Sequence, residues 1–163
     1  MIRIVAIFAV LAALSACGDM PAATSPNGPV PAPENATTAR LKGKSPSAIV
    51  SAIRAKTGLG PVRRSARLDR VALMQARDMA QNDFFSHSGS DGSSVGNRAR
   101  RGGYDWCVIA ENINKGYPDI RSAILAWETS RSHYRNMTLR GAKEFGIASV
   151  GSYNVMVLGA RDC

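Results

Sequence analysis

Two histidines and one glutamate are the side chains of this sequence best suited to chemistry. His87 lies in DFFSHSGSDG, Glu111 in CVIAENI and His133 in SRSHYRNM, and the chain has no other histidine. An imidazole changes its charge near neutral pH, so beside a carboxylate it can serve as a general base, a general acid or a metal ligand. These distinctive local contexts predict a folded pocket in which the imidazoles and the carboxylate meet.

The N-terminus has the pattern of an export signal. One positive charge precedes an apolar run over residues 4–14, which is too short to span a bilayer, since that takes roughly 20 apolar residues. The run leads into LSAC, which resembles the bacterial lipobox, whose cysteine becomes the lipidated N-terminus. We predict a lipoprotein signal peptide over residues 1–16 and lipidation of Cys17, against a plain signal peptide with an incidental cysteine. Gly18 favours the outer membrane, facing the periplasm, over retention in the inner membrane.

The composition then divides the rest of the chain into a tether and one domain. Residues 17–44 contain five of the eight prolines and few apolar residues, which predicts a semi-rigid spacer. Residues 45–163 are long enough for one hydrophobic core and too short for two. We expect a monomer held away from the membrane by its tether.

The predicted domain is basic. The whole chain has a formal net charge of +9, and arginine supplies most of the excess in two groups: Arg63, Arg64, Arg67 and Arg70, then Arg98, Arg100 and Arg101. A basic surface attracts polyanions, which in an envelope protein are lipid headgroups or wall polymers such as peptidoglycan. An ordinary solvated surface explains the charge equally simply. The compartment and the absence of a recognisable binding motif argue against nucleic acid.

Two cysteines remain if Cys17 is lipidated. Cys107 and Cys163 form an even pair in an oxidising compartment, which predicts one disulfide, against the alternative of two free thiols. Neither has a CxxC partner or an adjacent histidine, so the pattern does not favour metal binding by this pair.

Hydrophobic periodicity predicts a mixed α+β domain. Helices are predicted from Pro46 to about residue 58, over residues 66–82 and from residue 118 onward, because apolar residues recur there at helical spacing. Strands are predicted at 106–109, 145–150 and 153–158, the last two joined by a two-residue turn with glycine first. The pattern indicates helices packed on an antiparallel sheet.

The order of the motifs resembles the CAP superfamily, the cysteine-rich secretory, antigen 5 and pathogenesis-related proteins with an SCP domain. The sequence has FSH, DGSS, an arginine-rich segment before GY, ENI, AWETS and HYRN in that order, over about residues 46–160. It is most similar to the bacterial secreted or lipid-anchored members. The resemblance implies a three-layer α-β-α sandwich with a central antiparallel sheet.

The resemblance also implies a cleft with two histidines and two acidic residues. His87, Glu111 and His133 match three of these positions, whereas the fourth, three residues after the tryptophan of AWETS, is Ser130. Ser130 leaves the cleft one carboxylate short, and Glu128 lies rotated away by helix geometry.

Three functions are open for this cleft. His87 and His133 could bind zinc or another divalent metal, as in some family members, if Glu111 supplied a third ligand. The same set could carry out metal-dependent hydrolysis of envelope or peptide substrates, although no nucleophile motif such as GxSxG is present. We favour the third, a hydrogen-bonded cleft that binds a lipid, a wall polymer or a protein without catalysis.

Overall fold

The computed structural model describes residues 43–163. The predictions for the signal peptide, for Cys17 and for all but the last two residues of the tether lie outside the described residues. Within residues 43–163, no helix is both long enough and apolar enough to cross a membrane.

The described part of the chain alternates helices with strands. The helices are α1 (Pro46–Ala55), α2 (Ala66–Gln81), α3 (Val95–Arg101), α4 (Ile120–Thr129) and α5 (Arg131–Met137). The strands are β1 (Arg63–Arg64), β2 (Val108–Lys115), β3 (Glu144–Val150) and β4 (Tyr153–Ala160). The predicted strand at 106–109 therefore begins two residues later and continues through Glu111 to Lys115.

The four strands form one sheet in the order β1-β3-β4-β2, which places β2 at an edge. The long strands pair antiparallel, β2 with β4 and β3 with β4, as the sequence predicted. The two-residue β1 adds a parallel pair to β3 at the other edge. Two residues carry no alternation, so the pattern could not reveal β1.

The turn between β3 and β4 confirms the predicted hairpin. Val150 pairs with Tyr153 across two residues, and Gly151 has a φ of 56°. Among the described non-glycine residues only Asp83 has a positive φ, so Ser152 does not. A positive φ at the first turn position alone is typical of type II′, which is why glycine stands there.

Both faces of the sheet are covered, which confirms the three-layer α-β-α sandwich. Alternate residues of β4 point to opposite sides, so Val155 and Val157 join a core with α2 and α3. Met156 and Leu158 join the other core, to which α1, α4 and α5 contribute. The expectation of a single core is therefore wrong: the domain builds one hydrophobic core on each face of the sheet, because helices cover both faces.

Side chains cap the first turns of α1 and α4, and α4 begins two residues later than predicted. The Ser45 hydroxyl accepts a hydrogen bond from the Ala48 amide ahead of Pro46, and Asp119 accepts from two amides at the start of α4. These contacts satisfy amides that have no partner within the helix.

Helix α3 was missed by the sequence analysis. It has only seven residues and lacks an apolar stripe, since glycine, alanine and an arginine occupy its buried positions. Its N-terminus does carry a capping box between Ser94 and Asn97, which is a local signal.

Glycine is required where α2 lies directly on the sheet. A Cβ at Gly146 in β3 would overlap the backbone of Leu68 and Asp69 in α2. The Asp69 carboxylate accepts from the Ile147 amide at 2.9 Å, so the helix is also fastened to the strand by a hydrogen bond. This close contact sets the distance between α2 and the sheet.

Replacing Gly146 with alanine should therefore destabilise the domain strongly. The overlap is with backbone, which cannot rotate away, so we expect Gly146→Ala to lower the free energy of unfolding by about 3 kcal/mol or more. Gly60→Ala is the matched control, because a Cβ there has no atom within 4 Å. Urea unfolding measures both, and equal midpoints for the two variants would refute the close contact.

The predicted disulfide is present. Cys107 and Cys163 are bonded, with their Cα atoms 6.2 Å apart. Cys107 directly precedes Val108, which opens β2 and pairs with Ala160 near the C-terminus. The bond therefore fastens the beginning of the edge strand that carries Glu111.

Removing this disulfide should cost roughly 4 kcal/mol of unfolding free energy, because the bond closes a loop with a sequence separation of 56 residues in the unfolded chain. We expect Cys107→Ser combined with Cys163→Ser to show this loss in denaturant unfolding. Reductant should produce the same loss in the parent and none in the double variant. If reductant left the unfolding midpoint of the parent unchanged, the assignment of the Cys107–Cys163 disulfide would be contradicted.

Candidate functional site

The carboxylate of Glu111 lies at the centre of the site. Glu111 belongs to the edge strand β2, and its side chain is only 2% exposed. It pairs with Val157 of β4, so it points to the same face of the sheet as Val157, toward α2 and α3. A buried carboxylate needs partners in the protein, because losing its hydration without gaining an ion pair or hydrogen bonds is costly in free energy.

Arg98 of α3 supplies the charged partner. Its side chain is 3% exposed and donates to Glu111 Oε2 at 2.8 Å. The same guanidinium donates to the Ser93 carbonyl at 2.6 Å and to the His87 carbonyl at 3.0 Å. Arg98 thus holds the connection between α2 and α3 against β2.

His87 lies on that connection and forms a hydrogen bond with the second carboxylate oxygen of Glu111. Its Nδ1 is 2.9 Å from Glu111 Oε1, and its side chain is 59% exposed. Because a carboxylate only accepts hydrogen bonds, Nδ1 carries the proton in this contact. Nε2 of the neutral ring is then an acceptor, and no residue of the described chain bonds to it.

His133 approaches the site from the opposite layer. It lies in α5, half-buried, with its ring centroid 6.4 Å from that of Trp127. Burial lowers the pKa of His133, and the positive charge that His87 can carry lowers it further. This influence of His87 agrees with the predicted convergence of the two imidazoles, which itself stays a prediction.

Two asparagines fasten α5 to the edge strand. Asn112 donates to the His133 carbonyl at 3.0 Å, while Asn136 donates to the Glu111 carbonyl at 3.0 Å and to the Asn112 side chain at 2.8 Å. The backbone of the edge strand is thereby bonded to the layer that carries His133. The site spans the open edge of the sheet, with one histidine supplied from each side.

Ser130 lies at the junction of two helices. Helix α4 ends at Thr129, so the helical spacing used to place Ser130 does not extend to it. The Ser130 hydroxyl is 3.3 Å from the Ser132 hydroxyl and makes no hydrogen bond to either histidine or to Glu111 within the described chain. A role for Ser130 in the cleft stays a prediction. Glu128 pairs instead with Lys56, the residue that follows α1.

Arg98 is the site residue that the sequence did not reveal. It stood in a run of arginines predicted to be solvated, yet it is buried whereas its neighbours Arg100 and Arg101 are exposed. Asn112 and Asn136 were visible as parts of the ENI and HYRN motifs, but periodicity alone gave them no role.

The residues present do not form a complete catalytic zinc site. Such a site usually has three protein ligands and an open position. Both Glu111 oxygens are already engaged, and nowhere in residues 43–163 do three His, Cys, Asp or Glu side chains group as metal ligands do. Metal binding by His87 and His133 stays a prediction that lacks a third ligand.

Comparison with known families identifies the domain. The sequence profile of the cysteine-rich secretory protein family, CAP, matches residues 48–158, which include every residue of the site described above. The chain belongs to the CAP family. The resemblance drawn from the order of its motifs is confirmed.

Solved CAP structures share the fold at low sequence identity. An extracellular SCP-domain protein of Bacillus anthracis superposes with a TM-score of 0.65 and 23% identity, over 68% of this chain and 37% of that protein. An outer surface protein of Borrelia burgdorferi gives a TM-score of 0.64 and 18% identity, over 71% of this chain and 90% of that one. At these identities the likeness concerns the fold alone.

A relative by sequence is the Bacillus subtilis membrane protein YlbC. The match has 31% identity over 85 residues, which is 52% of this chain. It covers only 25% of YlbC, so the two proteins share part of a domain rather than a whole architecture.

The proximity of the two imidazoles in this CAP domain can be tested by titration. We expect His133 to titrate below the ordinary histidine pKa, and its pKa to rise toward that value in His87→Gln, because one of the two causes of the shift is removed. Burial remains, so the recovery should be partial. NMR resolves this directly, since the chain has only two histidines.

The same shift has a consequence for stability. A histidine whose pKa is lowered by folding binds its proton more weakly in the folded state, so its contribution to stability is lost as the pH falls below about 6.5.

The control for the titration is Ser130→Ala, which should leave the His133 pKa unchanged. An unchanged His133 pKa in His87→Gln would show that the rings do not meet.

Proposed function

We propose that this chain is an exported, lipid-anchored CAP protein that binds a ligand of the bacterial envelope through the cleft of His87, Glu111 and His133. The anchor is the predicted lipid on Cys17, and the membrane is the outer membrane, with the domain in the periplasm. The extracellular SCP-domain protein of Bacillus anthracis and the outer surface protein of Borrelia burgdorferi support an exported location.

One observation carries the choice of binding over catalysis by Glu111. Both oxygens of the buried Glu111 are engaged, one by Arg98 and the other by His87. A general base must be within reach of the proton it removes and free to take it. A carboxylate held on both sides instead fixes the orientation of the groups around it, which suits a preorganised binding site.

The groups open to a ligand are polar. His87 is exposed and, when its ring is neutral, presents Nε2 as an acceptor, and His133 is half-buried on the other side of the edge strand. Acceptors of this kind pair with hydroxyl and amide donors. A sugar–peptide wall polymer such as peptidoglycan offers both in quantity, so it fits the cleft better than a lipid acyl chain does.

One contact favours a second candidate, a metal-dependent hydrolase. Metal-ligating histidines commonly donate their other ring nitrogen to a carboxylate, as His87 does to Glu111. A bound metal would supply an activated water. The lack of a third ligand among the described residues weighs against this function.

Sedimentation with purified peptidoglycan sacculi tests the proposal. The chain carrying Cys17→Ser, which cannot be lipidated, should be retained, and His87→Ala and His133→Ala should each weaken retention about tenfold, or about 1.4 kcal/mol. Ser152→Ala in the hairpin turn is the control and should be retained fully. A chelator should change nothing.

Other outcomes would decide against binding. If both histidine variants were retained as strongly as the parent, the cleft would not be the binding site. Release of soluble wall fragments by the parent, lost in Glu111→Gln and on chelation, would establish the metal-dependent hydrolase instead.

A further inference from the structure

The outer face of helix α2 is a separate basic surface. Arg67, Arg70, Met74 and Arg77 follow one another at intervals of three, four and three residues, and all four are exposed. Residues at these spacings lie on the same side of a helix. The opposite side of α2 is buried in the core, so these four residues form a single stripe facing away from the sheet.

The three arginines of this stripe have no partner within residues 43–163. Several other arginines of the domain are engaged, among them Arg98 with Glu111, Arg101 with Asp91, and Arg54 with backbone carbonyls. No hydrogen bond or ion pair joins Arg67, Arg70 or Arg77 to any described residue. Their charge is therefore uncompensated and available to an anionic partner.

An apolar side chain lies within the stripe. Met74 is 38% exposed and is one of only two large apolar side chains exposed on the described domain. Exposed apolar side chains among basic ones are typical of helices that lie on membrane surfaces, where the cations reach phosphates and the apolar groups enter the headgroup region. A purely ionic polymer would make no use of Met74.

We propose that this stripe docks the domain on the anionic phospholipid headgroups of a membrane. Guanidinium groups suit this partner because they bind phosphate through two parallel hydrogen bonds. This surface is distinct from the cleft, which lies at the β2 edge of the sheet. Docking through α2 leaves that edge beside the membrane, open to a ligand.

If the chain is anchored as predicted, a surface that binds the membrane only weakly is enough to dock the domain. A chain as long as residues 17–44 can reach roughly 85 Å at the rise of an extended polyproline helix. A domain of about 120 residues has a radius of gyration of only about 14 Å. The tether thus allows the domain to turn α2 toward the membrane at a high effective concentration. The stripe itself does not depend on the anchor.

Met74 provides a built-in reporter for the test. The other methionines of the described residues, Met79, Met137 and Met156, are fully buried. Peroxide should therefore oxidise Met74 first among these four, and contact with a membrane should slow that reaction. Mass spectrometry of the Met74 peptide reads the contact locally, so attachment of vesicles to the N-terminus does not interfere.

The full chain is incubated with vesicles of neutral phosphatidylcholine or of phosphatidylcholine mixed with phosphatidylglycerol. We expect protection of Met74 only on the anionic vesicles, and loss of protection at high salt. Combining Arg67→Gln, Arg70→Gln and Arg77→Gln should weaken the contact roughly 100-fold, at about fivefold for each arginine. The matched control changes Arg121, Arg135 and Arg140 to glutamine, on or beside the helices of the opposite layer.

Three results would overturn the proposal. Met74 could be oxidised equally fast on both kinds of vesicle. Protection could be lost equally in the control triple variant, which would indicate net charge rather than this stripe. Protection by peptidoglycan sacculi but not by anionic vesicles would assign the stripe to the wall polymer instead.

Discussion

The buried ion pair between Arg98 and Glu111 is the interaction on which the rest of the site depends. Removing two charged groups from water costs several kcal/mol for each, and only close geometry with further hydrogen bonds offsets that cost. Arg98 meets most of this condition, since it also donates to the carbonyls of Ser93 and His87, while its Nε has no partner within the described residues. The pair therefore fixes α3, the connection that carries His87 and the edge strand in one arrangement.

The architecture explains how the two histidines are brought to the same edge strand, β2. One is supplied by the layer of α2 and α3 and the other by α5, and the two layers face each other only beyond the last strand. The asparagine contacts to the β2 backbone, together with the disulfide at the start of β2, cover and fasten that edge. An edge strand is ordinarily open to pairing, and here it lies between the two layers that carry the histidines.

The sequence predicted the elements whose signals are local and left out those decided by packing. Apolar spacing revealed α2 and α4, the Gly151 turn revealed the hairpin, and cysteine parity revealed the disulfide. Arg98 could not be distinguished from its arginine neighbours, because only the fold shows which of them meets a buried carboxylate. Ser130 was placed by its position in the AWETS motif, and the helix whose geometry supported that placement ends one residue earlier. The grouping of His87 with Glu111 depended on motif order rather than on periodicity.

The claim that Arg98 and Glu111 stabilise the site as a pair is tested most directly by a double-mutant cycle. Urea unfolding of Arg98→Met, Glu111→Met and the double variant gives the coupling energy. Each single change should cost about 3–5 kcal/mol, since it leaves a buried charge alone. The loss in the double variant should be smaller than the sum of the two single losses by about 2 kcal/mol or more. Additive losses would contradict the account, because Arg98 and Glu111 would then act independently.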